Sequence, residues 1–203
     1  MNFCTIVSSL IAKAPKECRP CPDQYIGMLE ELEVSGAIAT RLSPDQRPLA
    51  SGLIVVLESP HTKEFKGEPA PAAGATGRLL AKHLRTVVGA LHVQNPPIVL
   101  MNAVQYQCSL GSLPKMHRDE VFAAVWDGGA REDFIRRLRQ IYMPGDYVVC
   151  CCTQGIDIQR FGELRQKVLA AIVETVPSNK VLRRTHPSSW RSPINRTYEW
   201  ESA

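Results

Sequence analysis

The 203-residue chain has few aromatics, 6% of its residues, and no apolar run near the roughly 20 residues that would span a bilayer. No basic stretch precedes the short apolar segment near the N-terminus, so a secretory signal is not expected and a cytoplasmic protein is. Internal repeats, long linkers and phosphate-binding glycine loops are absent, as is a Ser-His-Asp nucleophile set. These absences turn attention from membranes, arrays, nucleotide triphosphates and acyl transfer to one compact domain. The length suits a single domain, with a helical N-terminal segment over 1–45 and the informative motifs within 51–190.

Seven cysteines without a secretory signal imply reduced thiols. Cys150, Cys151 and Cys152 sit inside an apolar run and read as small core residues. Cys18 and Cys21 form a C-x-x-C pair, a weak metal signal because a closed site needs about four ligands. No metal and no cofactor are expected. The net charge is +4, only mildly basic. Arg183, Arg184, Arg191 and Arg196 nevertheless crowd around His186. They form either a solvated face or a phosphate-binding rim.

Residues 23–42 carry Tyr25, Ile26, Leu29 and Leu32 at helical spacing and predict a helix. Runs at 51–57, 97–103, 147–152 and 180–185 predict four buried strands, separated by helices at 78–91, 117–126, 131–142 and 161–176. That alternation predicts an α/β three-layer sandwich around a four-stranded, mainly parallel sheet. Ligands of such sheets bind beyond the carboxyl ends of the strands. Glu58-Ser59-Pro60-His61 follows the first run, Asn102 ends the second, Gln154 follows the third and His186 the fourth. Their shared position is the main argument for an active site. Asn102 as a strand-end cap, His186 as a structural histidine and Trp190 as core are the alternatives.

Four motifs carry a resemblance. Glu58, Pro60 and Glu64 of Leu57-Glu58-Ser59-Pro60-His61-Thr62-Lys63-Glu64 match a G-E-A-P-G-x-x-E pattern. Gly67-Glu68-Pro69-Ala70 and Gly74-Ala75-Thr76-Gly77-Arg78-Leu79-Leu80 follow a G-x-P-F-V-G-x-A-G-x-L-L pattern. The strand Ile98-Val99-Leu100-Met101-Asn102 and the triplet His186-Pro187-Ser188 complete the order. Together they resemble the uracil-DNA glycosylase superfamily, closest to its thermostable-type branch.

The resemblance implies that a nucleotide is flipped out of the stack into a pocket and its base released, leaving an abasic site. Asn102 then reads the base edge, with His61, Glu64 and Ala70 beside it. His186 stabilises the departing base anion, and water attacks the sugar carbon. Ser59, Ser188, Arg191 and Arg184 hold DNA, and Trp190 is a wedge filling the gap left by the base. DNA is the partner; no protein partner or membrane is implied.

This sequence departs from the family at several places. The water-activating Asp is Ser59 here, which leaves Glu58, His61 or the backbone for that task. The base-stacking aromatic is Ala70, or Ala72 under another gap, and the tyrosine that blocks C5 substituents is His61. Both point to a damaged or bulky modified pyrimidine, such as those of phage DNA in antiviral defence, unless Phe65, Tyr106 or Trp126 fills the space. The branch's cluster of four cysteines lacks its fourth member. The alternatives are a non-catalytic DNA- or base-binding member, a uracil-excising repair enzyme, and a hydrolase of small nucleosides or an unrelated flavodoxin-like enzyme.

Overall fold

The computed structural model describes residues 2–11, 17–110 and 116–201. Residues 1 and 12–16 of the expected helical N-terminal segment lie outside them. Helix α1 (Phe3–Leu10) is capped by the Asn2 side chain, which accepts from Thr5 N at 3.2 Å, and buries Phe3 and Val7. Strand β1 (Gln24–Met28) runs directly into helix α2 (Leu29–Ser35), which ends at Gly36 in the left-handed conformation. Strand β2 (Leu53–Leu57) leads by way of a short turn to helix α3 (Ala75–Val87), then strand β3 (Pro97–Asn102). Helices α4 (Arg118–Val125) and α5 (Arg131–Ile141) meet at a kink where Gly129 has φ 112°. Strand β4 (Tyr147–Cys150), helices α6 (Ile158–Phe161) and α7 (Leu164–Val173), strand β5 (Val181–Arg183) and helix α8 (Pro193–Thr197) complete the chain.

One five-stranded mixed sheet forms, in the order β1-β3-β2-β4-β5. Strands β2 to β5 fall in the four expected runs and pair with one another in parallel, but β5, at the sheet edge, is half-buried and not buried as expected. The fifth strand corrects the expectation. β1 lies antiparallel on β3, in a stretch whose apolar spacing had read as helix. Gly27, at φ 105°, and a register shift between Tyr25 and Met28 interrupt it. The N-terminal segment is therefore strand and helix, not helix alone.

Alternation along the strands divides the apolar residues between two clusters. Ile54, Val56, Val99, Met101, Val148 and Cys150 join residues of α1, α4, α5 and α7. Leu53, Val55, Leu57, Ile98, Leu100, Val149 and Cys151 join residues of α2 and α3, and Trp190. Strands buried on both faces explain the uninterrupted apolar runs. At about 25 cal/mol per Å2, each fully buried Leu, Ile or Val stabilises the fold by roughly 1.5–3 kcal/mol.

Two cysteine expectations change. Cys18 is bonded to Cys4, across a sequence separation of 14, and not matched with Cys21. The expectation of wholly reduced thiols therefore fails for Cys4 and Cys18. Cys21 is a buried free thiol whose N–H donates to Gln105 O at 2.7 Å. Cys150, Cys151 and Cys152 are buried among apolar side chains as expected. No described helix is long and apolar enough to cross a membrane.

Candidate active site

A cavity of about 450 Å3 opens at the carboxyl ends of β2 and β4. Leu57, Glu58, Ser59, Pro60, His61, Lys63 and Glu64 line it from the β2 side, and the first turn of α3, Gly74 to Thr76, closes one wall. Ser109, Arg118, Thr153, His186 and Ser188 complete it. The structure thus gathers six of the expected site residues, Glu58, Ser59, His61, Glu64, His186 and Ser188, at one end of the sheet, as the strand-end argument required. No lining residue is Phe, Tyr or Trp. The start of α3 places the positive end of a 13-residue helix at this wall, which favours negative charge there.

His186 begins a 3-10 turn, Pro187–Ser189. Its Nδ1 accepts from Ser188 N at 3.2 Å and lies 2.8 Å from Ser188 Oγ. A backbone N–H can only donate, so Nδ1 is the acceptor and the proton of the neutral ring is on Nε2. Burial first, and the charge of Arg118 second, lower the pKa of His186 to about 4. At neutral pH the ring is a neutral donor.

Glu58 stands opposite in the sequence logic and is 4% exposed. One oxygen lies 3.4 Å from Nε of Arg118, and the other accepts from the Thr153 hydroxyl. Burial raises its pKa to about 7, against the pull of Arg118. Such a carboxyl can hold or release a proton near neutrality. Arg118 itself was not foreseen from the sequence. Its guanidinium is fixed by Asp119, with Nε and Nη2 each 3.0 Å from Oδ1. Asp119 Oδ2 accepts from the N–H groups of Ile156 and, at 2.9 Å, Asp157. Although burial opposes it, those bonds and Arg118 hold the Asp119 carboxylate below its usual range.

Glu64 and His61 form the frame of the wall. The Glu64 carboxylate accepts from His61 N at 3.1 Å and from Ala72 N at 2.8 Å. Burial raises its pKa to about 7. His61 Nδ1 accepts from Lys63 N at 3.3 Å, and burial with Lys63 lowers its pKa. Glu64 is therefore a brace for the 61–72 loop. A Cβ on Gly77 would come within 2.0 Å of Ala72 O, so only glycine lets that loop lie against α3.

Several expected positions need correction. Trp190 is fully buried, and its Nε1 donates to Thr185 O at 2.9 Å. The 3-10 turn folds it back under α3, so it cannot act as a wedge. Arg184 is 6% exposed and donates to Val87 O, Arg183 O and Glu199, so it is an interior brace and not a DNA contact. Neither Ala70 nor Ala72 lines the cavity, and Ala72 is buried beneath α3. Phe65, Tyr106 and Trp126 do not line it either. Gln154 points to Glu163 at 2.7 Å, and Thr153 takes its expected place.

Asn102 pairs with Leu57 in the sheet, but its side chain is beside the cavity and not in its lining. It is 1% exposed, and neither amide atom has a hydrogen-bond partner of ordinary geometry. The Cys21 thiol is its polar neighbour, for which the amide is a weak donor. Two unmet polar atoms in the interior cost on the order of 1–3 kcal/mol each. Ser59 and Ser188 lie in the lining, and exposed Arg191 lies in an adjacent groove with Arg78 and Lys82. Among the described residues no group of three or more His, Cys, Asp or Glu is placed to hold a metal. Comparison with known proteins finds no matching family model and no similar curated sequence.

Proposed function

We propose that the chain is a DNA N-glycosylase of the uracil-DNA glycosylase kind, built as a three-layer sandwich and acting on a pyrimidine turned out of its stack. The observation that carries this reading is His186, a neutral ring locked through Nδ1 by Ser188 at the rim of a cavity of about 450 Å3. That volume falls in the usual range for small-ligand sites. The free Nε2–H is aimed at charge that exists only as the N-glycosidic bond lengthens and the base becomes an anion. Donors fixed in advance act on that state more than on the substrate.

Glu58, whose proton leaves near neutrality, is the group that takes a proton from the attacking water. Ser59, standing where the family has Asp, is too weak a base for this. Ser59 and Ser188 bind the phosphates on either side of the flipped nucleotide, and Lys63, Arg78, Lys82 and Arg191 line the approach. Among the described residues no Phe, Tyr or Trp lines the cavity, which favours a base larger than uracil.

A second reading is a base-binding protein without catalysis. The position of Asn102 outside the lining favours it, because a side chain that does not reach the base cannot read it. One assay separates the two. Oligonucleotides containing uracil, 5-hydroxymethylcytosine or its glucosylated form are incubated with the protein, then treated with alkali. The glycosylase reading expects strand breaks at the modified position, lost in His186→Ala. Binding to those oligonucleotides with no breaks on any of them supports the second reading instead.

A further inference from the structure

We propose that the groove between α2 and α3 seats the phosphates of a single nucleic-acid strand leaving the cavity, so that the ligand is gripped on one flank of its bound nucleotide and not on the other. The proposal rests on the reading of the cavity as a nucleotide pocket. The groove measures about 320 Å3 and meets the cavity at Ala75, which lines both. Arg78, Lys82 and Arg191 line the groove, and all three are exposed. Arg78 and Lys82 stand one turn apart on α3, a spacing that puts Cβ atoms about 5–6 Å from each other. Arg191 follows the Pro187–Ser189 turn. Its backbone is fixed by Arg196, which donates to Trp190 O at 2.7 Å and to Arg191 O at 3.2 Å. Lys63 carries the row back to the cavity. It is part of the cavity lining, and a Cβ on Gly74 would lie 3.8 Å from its Cδ.

The two flanks of the cavity differ in how their charges are engaged. On the α3 side, none of Lys63, Arg78, Lys82 and Arg191 is ion-paired among the described residues. Glu33, the acidic residue of the groove lining, is held by Arg85 Nε at 2.6 Å instead. On the other side, formed by α4 and the segment after β4, the arginines have acidic partners. Arg118 Nη2 is 3.0 Å from Asp119 Oδ1, Arg160 Nη2 is 3.8 Å from Glu120 Oε1, and Arg165 Nε is 2.9 Å from Glu163 Oε2. Arg160 and Arg165 also lie over the rings of Phe161 and Trp200, each 4.8 Å from the centroid. Like charges one helical turn apart repel each other in the free protein. A bound anion removes that repulsion, and phosphates neutralised in this way release the counterions they had held. Four cations in a row exceed what one phosphate can meet and fit a chain of them. The paired flank offers no second row, so one strand is held.

The test measures binding of a fluorescein-labelled single-stranded oligonucleotide to the full chain by anisotropy, over a series of salt concentrations. The slope of log affinity against log salt should fall by about 0.7 for each charge removed in Arg78→Gln, in Lys82→Gln and in the double variant. Arg78→Lys keeps the charge and should keep the slope. Arg160→Gln, on the paired flank, should leave it unchanged. These side chains are exposed, so the variants should fold as the parent chain does. A parental slope in the double variant overturns the proposal. So does an equal drop in Arg160→Gln, or a chain that binds no oligonucleotide at low salt. Base release is read separately, by alkali treatment. Binding weakened as expected in these variants, with no base released from any oligonucleotide, would end the glycosylase reading and keep the groove. Base release by the parent chain, with a parental slope in the double variant, would do the reverse.

Discussion

Two of the molecule's cavities, of nearly equal size, have linings that differ in kind. The second, about 410 Å3, is lined by Asp23, Arg47, Arg137 and residues of the 43–49 and 137–143 segments. Most of the charge in its lining is committed to partners within the fold. Arg137 donates to Asp23, Asp133, Asn102 O and Ala103 O. Arg47 donates to Asp146 at 2.7 Å and to Ile141 O, with only its Nη1 left without a partner. Asp146 also accepts from Gly52 N and Met143 N. At the first cavity the pair Arg118–Glu58 is looser, at 3.4 Å, and His186 keeps a free donor. Volume does not separate the two places; uncommitted hydrogen-bonding capacity does. Unused bonding capacity of this kind marks a site that waits for a ligand more than a seam that holds a fold.

The comparison predicts stability loss without chemistry at one cavity and the reverse at the other. The largest effect should come from Asp146→Ala, which strands the buried Arg47 charge. Breaking such a pair costs about 3–5 kcal/mol, read as a shift in urea midpoint. A loss under about 1 kcal/mol would break the contrast. Next, His186→Ala should slow base release by a factor equivalent to about 2.7–4 kcal/mol while the urea midpoint barely moves. A large loss of stability with unchanged release would make His186 a structural residue.

Third in size is a pH effect. The pKa of Glu58 is raised in the folded state, so its contribution to stability is full below the unfolded value of 4.5 and is lost as pH rises through about 7. His186 runs the other way. Its lowered pKa gives stability present above the unfolded value of 6.5 and lost as pH falls through about 4. Glu58→Gln should therefore gain roughly 2–3 kcal/mol on the parent chain between pH 5 and pH 8. Parallel stability curves for the two proteins would show that Glu58 titrates normally. The smallest effect should be that of Arg191→Ala. Stability should change by less than about 0.5 kcal/mol, and the salt dependence of oligonucleotide binding should drop by about one phosphate contact. An unchanged salt slope would remove Arg191 from the DNA path.

Strands β2, β3 and β4 were legible because each is an apolar run buried on both faces and closed by a polar residue; β5, a half-buried edge strand, was legible by its place before His186. β1 was not, since five residues are too few to show alternation, and Tyr25 and Ile26 stand at helical spacing from Leu29 and Leu32 of the helix that follows at once. Glu58, His61, Glu64, His186 and Ser188 were legible because strand ends converge. Arg118 was hidden in His117-Arg118-Asp119-Glu120, a charged run that reads as an exposed first helical turn; only the tertiary approach of α4 to Glu58 turns it inward. Trp190 misled for the opposite reason. Its distance from His186 in sequence suits a projecting ring, but the Pro187–Ser189 turn reverses the chain and buries it.

The central position of β2 also has a consequence in time. Its ladder to β3 and β4 is parallel, so neither partner is a near neighbour in the chain, and the Glu58–Thr153 contact joins residues 95 apart. Contacts so distant form late, because the entropy of closing the intervening chain is lost before the contact repays it. Until β4 arrives, Leu53-Ile54-Val55-Val56-Leu57 presents five uncharged apolar residues with an unpaired edge. That is the composition from which intermolecular strands are made. The same strand that delivers Glu58 to the cavity is thus the segment by which a half-folded copy would find another, and refolding yield should fall as protein concentration rises.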